Sequence, residues 1–193
     1  TPVQALVSVT SVNDLPFLDQ NLYSYPRHTL SEYMGDFFTG IKQDGSVVSW
    51  GAPWYAGIPP NAQGLLNGSV KVADITSTVH AFAALRIDGK VITWGDAAGG
   101  GAQELYSWNK ITDKLQFEHS VDQQLNGDLP VIKIFSTENA FAALRVDGSV
   151  VIWGLSGRWG NIAGDMSQID GHIPIIDVFT NDVSFSFLRS DGS

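Results

Sequence analysis

The chain has 193 residues, of which 44% are hydrophobic and only 16% charged, a composition that supports a buried core and argues against disorder. Its formal net charge is −9 and its 11 basic residues are scattered, so we expect no nucleic-acid partner. Cysteine is absent, which excludes a disulfide framework and any site built on thiolates. No apolar run approaches the length of a membrane span, and we expect no signal peptide at the N-terminus.

The first twenty residues predict a strand followed by a junction. Apolar and polar residues alternate over 6–10, which is typical of a strand with one buried face. The sequence Val-Asn-Asp-Leu-Pro at 12–16 resembles the junction between bacterial cadherin-like domains. That resemblance implies a calcium site at Asn13 and Asp14, and the alternative is an Asx-type turn before Pro16. We therefore assign 1–20 to a linker or to the terminal strand of a preceding cadherin-like domain, and 21–193 to a repeat domain.

One pattern occurs four times and organises the rest of the chain. The copy at 81–95 reads Ala-Phe-Ala-Ala-Leu-Arg-Ile-Asp-Gly-Lys-Val-Ile-Thr-Trp-Gly, and the copy at 140–154 is nearly identical. A degraded copy lies at 37–51 and a partial one at 184–193. The shared aspartates are Asp44, Asp88, Asp147 and Asp191, at offsets of 44, 59 and 44 residues. A period of this length predicts stacked repeat units, one of which carries an insertion.

Each copy predicts a β-hairpin, because Asp-Gly between two apolar runs is a strong hairpin signal. A two-residue turn would place Leu85 opposite Ile92 and Ala83 opposite Trp94, which leaves room for the indole across the sheet. Both runs are too apolar for a half-exposed strand, so both faces of the hairpin should be covered. A lone hairpin is marginally stable in water, and the units must therefore stack on one another.

A further strand is predicted before each of the later hairpins, at 70–78, 131–137 and 175–180. The segment after each Trp-Gly is the place for a fourth strand. In the second unit this segment continues into an insertion at about 104–130, where 105–115 is predicted to form a short helix. An insertion on the surface costs only about 1 kcal/mol or less in closure entropy, so it need not disturb the scaffold.

These repeats resemble those of the regulator of chromosome condensation family, and most closely the bacterial copies in large surface or secreted proteins. The resemblance covers 31–193 and rests on Ile or Val followed by Ser-Thr, then Ala-Phe-Ala-Ala-Leu-Arg, Asp-Gly, Val and Trp-Gly. It implies a β-propeller, usually of seven four-stranded blades. The sequence departs from the family where Ser-Thr replaces a glycine before the Ala-Leu strand, and the Gln-Leu-Gly tail is missing.

The predicted fold class is all-β, with repeated β-hairpin units stacked as β-propeller-like blades in a partial or non-standard propeller. Only three and a half units are present, and the hairpin at 184–193 has no second strand. Three explanations remain open for that hairpin. The array continues beyond these residues, or the strand at 3–9 completes it, or another molecule does.

Nothing in the sequence points to catalysis. The histidines lack metal-ligand spacing, and the chain has neither a Gly-x-Ser-x-Gly elbow nor a His-Glu-x-x-His motif. They are His28, His80, His119 and His172. The glycines at 99–101 precede no Lys-Ser or Lys-Thr, so we interpret them as a flexible turn and not as a phosphate-binding loop. The Asp-Gly turn accounts for the recurring aspartates, and we predict that the protein is not an enzyme.

Aromatic residues outside the repeat pattern are the candidate binding residues. They lie in the variable loops after Trp-Gly, and Trp, Tyr and Arg are enriched at recognition hot spots. The set consists of Trp54, Tyr55, Tyr106, Trp108, Arg158 and Trp159. Exposed, they would suit a sugar, a peptide or a protein surface; the alternative is that they cap blade ends and fill gaps.

The first functional hypothesis is a non-catalytic module of a large bacterial adhesin or secreted surface protein. It would be extracellular or at the cell surface, would bind carbohydrate or peptide, and would be stabilised by calcium. The second is a structural or assembly module whose open last hairpin pairs with another chain in a homo-oligomer. A GTPase exchange factor, as in founding members of the family, rests on fold analogy alone.

Overall fold

The repeated pattern forms β-strands in every unit. The structure is a computed structural model, and it describes residues 23–24, 37–51, 57–109, 114–156 and 166–193. The strands are β1 (Tyr23–Ser24), β2 (Phe37–Ile41), β3 (Val47–Gly51), β4 (Val72–Ser77), β5 (Ala81–Arg86), β6 (Val91–Gly95), β7 (Glu104–Asn109), β8 (Lys114–Ser120), β9 (Val131–Ser136), β10 (Ala140–Arg145), β11 (Val150–Ser156), β12 (Ile175–Thr180) and β13 (Phe185–Arg189). Helical segments are short, namely α1 (Pro60–Gln63), α2 (Asp122–Asn126), a π-helical turn at Ala97–Gly101 and a 3₁₀ turn at Met166–Ile169.

Each repeat unit forms its own small sheet. Unit one has the strand order β1-β2-β3, unit two β4-β5-β6, unit three β8-β7-β11-β10-β9 and unit four β12-β13. The strand predicted before each later hairpin is present as β4, β9 and β12, and it pairs antiparallel with the first hairpin strand. The chain is therefore all-β, with hairpin units stacked as propeller-like blades.

The hairpin register differs by one residue from the prediction. Phe82, and not Ala83, lies opposite Trp94. The Arg86 amide donates to the Lys90 carbonyl at 2.9 Å, so three residues form the loop, and Gly89 has a φ of 79°. A three-residue loop with a left-handed glycine shifts the pairing by one, and such a shift exchanges which side chains share a face. The expected small residue opposite the indole is replaced by a phenyl ring.

Both faces of the central hairpins are buried, as the sequence predicted. In β5 one face carries Phe82 and Ala84, which pack toward unit one, and the other carries Ala83 and Leu85, which pack toward unit three. In the described residues, hydrophobic clusters fill the space between successive units. The cluster between units two and three consists of Ala81, Ala83, Leu85, Val91, Val121, Leu125, Val131, Ile134, Phe141, Ala143, Val151 and Trp153.

The described residues of the segment at 105–115, where a short helix was predicted, are strand residues. Residues 104–109 and 114–120 form the antiparallel strands β7 and β8, because Leu105 and the residues after it find strand partners in the neighbouring sheet. β7 pairs in parallel with β11, so the segment after the second Trp-Gly supplies a strand to unit three. The insertion also enters the core, since Val121 and Leu125 are buried between units two and three.

Backbone hydrogen bonds join the units along the edge of the stack that carries the Asp-Gly turns, which we call the turn rim. In units one to three, the carbonyl of the turn glycine accepts a bond from an amide at the start of the next unit. The pairs are Val72 to Gly45 at 3.0 Å, Val131 to Gly89 at 2.9 Å and Ile175 to Gly148 at 2.8 Å. On the opposite rim the Val79 amide donates to Glu138, whose own amide donates to Asp182. The Asp-Gly turn is thus both a hairpin loop and a joint between units.

The glycine-rich turn at Ala97–Gly101 is a packed joint and not the flexible turn that the sequence predicted. The Gly100 carbonyl accepts a hydrogen bond from Trp153 Nε1 at 3.0 Å, and the Gly99 carbonyl accepts one from Thr78 Oγ1 at 2.8 Å. A Cβ at Gly100 would lie 2.5 Å from the Phe141 ring. Close packing against unit three therefore requires glycine here.

Candidate functional site

The structure describes two of the six predicted binding residues, and they belong to a strand and not to a loop. Tyr106 and Trp108 both lie in β7, and for Trp108 only the backbone is described. The other predicted positions lie outside the described residues. They are Trp54, Tyr55, Arg158 and Trp159, together with the predicted calcium ligands Asn13 and Asp14.

Tyr106 belongs to an exposed aromatic surface on the β7–β8 hairpin, which we call the edge hairpin. It lies opposite Phe117 in the register, and the two rings meet edge to face with centroids 6.0 Å apart and planes at 76°. Phe117 is 53% exposed, and Leu115, two residues before it on β8, is also exposed. Tyr106, Leu115 and Phe117 therefore form an apolar surface at the border of the unit-three sheet.

A hydrogen bond to Glu104 holds the Tyr106 hydroxyl. The phenol donates to Glu104 Oε2, and this bond, with partial burial and the charges of Glu104 and Asp96, raises the pKa of Tyr106 to about 12. The bond to Glu104, two residues earlier on the same strand, orients the phenol along β7. The hydroxyl bond and the edge-to-face contact with Phe117 both restrain the Tyr106 ring, which reduces the conformational entropy that is lost when a ligand binds.

β8 is the outer strand of its sheet in the part of the chain that the structure describes. All seven of its residues are exposed, and β7 lies along its other side. The Ser107 hydroxyl donates to Glu118, a cross-strand bond that secures the hairpin. An exposed outer strand is a template for the addition of another strand. The sequence reasoning missed Leu115 and Phe117, although their spacing of two residues is the signal of a strand face.

The recurring aspartates close their own turns. Asp147 Oδ1 accepts from the Ser149 amide at 3.0 Å and from the Ser149 hydroxyl at 2.5 Å. In the first turn, the hydroxyl and then the amide of Ser46 are the main causes that lower the pKa of Asp44. Among the described residues, no group of three or more His, Asp or Glu side chains is placed to hold a metal ion.

The face of unit four that points away from unit three is only partly covered. Phe185 and Phe187 pack toward unit three, whereas Phe179 on β12 is exposed. Its counterpart in unit three, Phe135, packs against the next unit. We call this surface of β12 and β13 the end face. No helix in the described stretches has the length and hydropathy of a membrane-spanning segment.

These features define the class of the protein as a repeat protein of stacked, propeller-like β-sheets with an exposed aromatic edge hairpin. No protein-family model and no curated protein sequence matches the chain. Solved structures do match it, and they include propellers of the regulator of chromosome condensation type.

Two of the similar structures are yeast proteins. The complex of Kap60 with yeast RCC1 (Prp20) has a TM-score of 0.55 and 15% identity, over 82% of this chain and 40% of that one. Prp20p from Saccharomyces cerevisiae, in a study of its binding to Gsp1p and histones, has a TM-score of 0.53 and 15% identity, over 82% of this chain and 41% of that one. The CRINKLY WD40 ectodomain of the Arabidopsis thaliana receptor kinase ACR4 has a TM-score of 0.49 and 14% identity, over 88% of this chain and 52% of that one. The chain thus spans about half or less of each of these proteins, and the likeness shows the fold.

Proposed function

We propose that this chain is a non-catalytic, protein-binding module that captures an extended peptide on the edge hairpin. The exposed apolar surface of Leu115 and Phe117 on an outer strand, with Tyr106 in contact with Phe117, is the observation that carries the proposal. A peptide added beside β8 would gain backbone hydrogen bonds and would place alternate apolar side chains near Leu115 and Phe117. The yeast propellers of similar fold are named with protein partners, namely Kap60, Gsp1p and histones, which supports a protein ligand.

Carbohydrate is the other ligand class that exposed aromatic rings serve. An edge strand favours peptide, because its backbone donors and acceptors match those of another strand and not those of a sugar. The test is to probe the purified chain on an immobilised peptide array and on a glycan array. Peptide binding that Phe117→Ser removes supports the proposal, and binding to glycans alone contradicts it.

The matched control is Leu65→Ser, which also removes an exposed apolar side chain but lies outside the edge hairpin. Both variants should keep the thermal unfolding temperature of the parent chain, because both side chains are solvent-exposed. Loss of peptide binding in both variants would indicate non-specific adhesion to exposed apolar side chains and would contradict a site at the edge hairpin.

The finer context that we propose is a large bacterial surface or secreted protein. Its support is the likeness of the repeats to bacterial surface-protein copies, the absence of cysteine and the cadherin-like motif at 12–16. Calcium at Asn13 and Asp14 belongs to this proposal. A calcium-dependent rise in the unfolding temperature that Asp14→Ala abolishes would support it, and identical melts in calcium and in EDTA would contradict it.

Assembly through the end face is a second candidate function. A Cβ at Gly148 would lie 2.4 Å from Pro174 of the next unit, whereas one at Gly192 would meet nothing within 4 Å. In unit three the space beside Gly148 is filled by the next unit. The equivalent space beside Gly192 in unit four is open and could receive another copy. Sedimentation at increasing concentration should show self-association that Phe179→Asp weakens, and a monomer at every concentration would contradict this candidate.

A further inference from the structure

The first strand of each later unit docks on the preceding unit in the same way at all three junctions. The amide of its β-branched first residue donates to the carbonyl of the turn glycine, over 3.0, 2.9 and 2.8 Å in turn. The residue before it lies against that glycine, since a Cβ at Gly89 would lie 2.4 Å from Pro130 and one at Gly148 would lie 2.4 Å from Pro174. At the first junction Lys71 takes the place of the proline. We call this first strand the docking strand.

The apolar residues of the docking strands also recur. Each strand buries its first and fourth residues in the cluster between its own unit and the preceding one. A bulge between them passes over one residue, so a spacing of three places both on one face. The shared pattern is therefore Val or Ile, two further residues, then Ile or Val. The buried pairs are Val72 and Ile75, Val131 and Ile134, and Ile175 and Val178.

The docking strand needs only two strands of the unit that receives it. β4 packs mainly against β1 and β2, and β9 packs mainly against β4 and β5. In both cases these are the first strand and the first hairpin strand of the preceding unit. Unit four has the same two strands, β12 and β13, among the described residues. The surface that receives a docking strand is therefore complete in unit four without a second hairpin strand.

The turn of unit four already has the geometry of an occupied junction. Gly192 has a φ of 86°, and its amide donates to the Arg189 carbonyl at 3.0 Å. The Ser193 amide donates to Asp191 Oδ1 at 3.0 Å, as the serine amide does in the turn of unit three. Within the described residues no donor bonds to the Gly192 carbonyl, and a Cβ at Gly192 would meet nothing within 4 Å. The turn is thus formed before any strand docks on it, which lowers the entropy that binding costs.

The side chains of the end face match those of the occupied faces in size. Ala142 and Leu144 of unit three are buried in the cluster between units three and four. Ser186 and Leu188 occupy the equivalent positions of β13, so a small residue again stands beside a leucine. Phe179 is 57% exposed and borders this surface. The end face therefore continues an interface that the chain forms three times within itself.

We propose that the end face binds an extended segment with the pattern of the docking strands, donated by another repeat unit of this kind. The segment reads proline, Val or Ile, two further residues, then Ile or Val. Its proline lies on Gly192, the next amide donates to the Gly192 carbonyl, and its apolar pair covers Leu188. The proposal rests on the end face of the assembly candidate and names the segment that this face takes. It does not require that this chain self-associates.

The test adds to the whole chain a synthetic peptide with the sequence of 173–180, Ile-Pro-Ile-Ile-Asp-Val-Phe-Thr, capped at both ends. Its only charged residue is an aspartate and the chain has a net charge of −9, so charge does not attract the peptide. Amide NMR should show saturable shifts at Gly192, Leu188 and Phe179 and none at Phe117.

Two altered peptides test the named contacts. N-methylation of the isoleucine that follows proline removes the amide donor and keeps the apolar side chain. Serine in place of the valine removes one of the two apolar anchors. Each altered peptide should bind about tenfold more weakly than the parent peptide. Equal affinity for either of them would overturn the proposal, because the pattern requires both the bond and the anchor.

Gly192→Asn tests the turn itself. Asparagine tolerates positive φ, so the turn persists, but its Cβ takes the space that the proline needs. The peptide should bind at least about tenfold more weakly to this variant. Gly64→Asn is the matched control, since a Cβ there also meets nothing within 4 Å and Gly64 lies outside the end face. Phe117→Ser should leave the affinity unchanged as well, which separates this test from that of the edge hairpin.

Absence of saturable binding up to about 1 mM peptide would overturn the proposal. Shifts confined to β8 would also overturn it, since they would mean that the peptide adds to the edge hairpin. Sedimentation separates it from the assembly candidate. A monomeric chain that binds the peptide contradicts self-association and leaves this inference standing, and a self-associating chain that does not bind the peptide contradicts this inference alone.

Discussion

Phe82 lies opposite Trp94 across the hairpin of unit two, and their rings stack with centroids 5.2 Å apart. Phe141 and Trp153 repeat this arrangement in unit three at 5.0 Å. Both pairs lie on the face that packs toward the preceding unit. The aromatic side of one hairpin therefore meets the alanine and leucine side of the hairpin before it, and large residues fill the space that small ones leave.

Replacement of Phe141 by alanine should lower the free energy of unfolding by about 3–5 kcal/mol, because the ring is fully buried between units. Urea unfolding followed by tryptophan fluorescence measures the change. Phe179→Ala is the control, since that ring is exposed and its removal should cost less than about 1 kcal/mol. Equal losses in the two variants would contradict the assignment of the unit interface as the core.

Gly89→Ala should destabilise the chain more than Gly192→Ala. Both glycines have positive φ, of 79° and 86°, so both variants carry the strain of about 1–2 kcal/mol of a left-handed residue. A Cβ at Gly89 would also lie 2.4 Å from Pro130, whereas one at Gly192 meets nothing within 4 Å. The additional loss of unfolding free energy in Gly89→Ala, expected at about 1–3 kcal/mol, reports the close packing of this turn against unit three. No excess would mean that the turn does not form that joint.

Acid should weaken the fold partly through Asp147. Burial acts most strongly and would raise the pKa of this carboxyl, but the Ser149 hydroxyl and amide and the charge of Arg145 together hold the pKa below its usual value. In the unfolded chain the Asp147 carboxyl has a pKa of about 3.9. Because its folded pKa is lower, the unfolded state binds more protons than the folded state as the pH falls toward and below that value. The stabilisation is complete above about pH 5 and is lost as the pH falls through the folded pKa.

Asp147→Asn should therefore flatten the loss of stability below about pH 5, as seen in urea midpoints measured from pH 7 to pH 3. Asp128→Asn removes an exposed aspartate outside the turns and serves as the control. A pH profile of Asp147→Asn identical to that of the parent chain would show that the turn bonds do not favour the charged form.

Tyr106 should titrate at about 12 because its hydroxyl donates to Glu104. Glu104→Gln removes the negative charge and should bring the pKa of Tyr106 closer to 10, the ordinary value for tyrosine. NMR of ring-labelled tyrosine follows the titration of this residue. Titration near 10 in the parent chain would show that the hydroxyl is not held by Glu104, and the edge hairpin would then lack its pre-ordered ring.

The correct and the wrong predictions differ in the range of the interactions that decide them. Asp88 and Gly89 form their turn from local chemistry, and the hairpin was predicted correctly on that basis. Leu105 and the residues after it became a strand because β11, nearly 50 residues later, offers a free edge. No local pattern encodes such a partner, so a propensity-based helix prediction failed there.

The candidate site shows the same division. Tyr106 was a candidate because its residue type is common at binding surfaces, whereas Phe117 joins the same surface only through the pairing of β7 with β8. Ile132 reads as a core residue in a strand, and the bulge beside Arg145 places it in solvent. One extra residue in a ladder decides which face a side chain joins.

The sequence by itself determined that the chain is a set of Asp-Gly hairpins, apolar on both faces, which must stack to be stable. Turn chemistry and apolar patterning act over a few residues, so they can be read without coordinates. Only the tertiary structure decided the register that pairs Phe82 with Trp94, the strand that unit two contributes to unit three, and the side chains that remain exposed on the turn rim. These depend on contacts between residues far apart in the chain, whose free energies are settled only when the units meet.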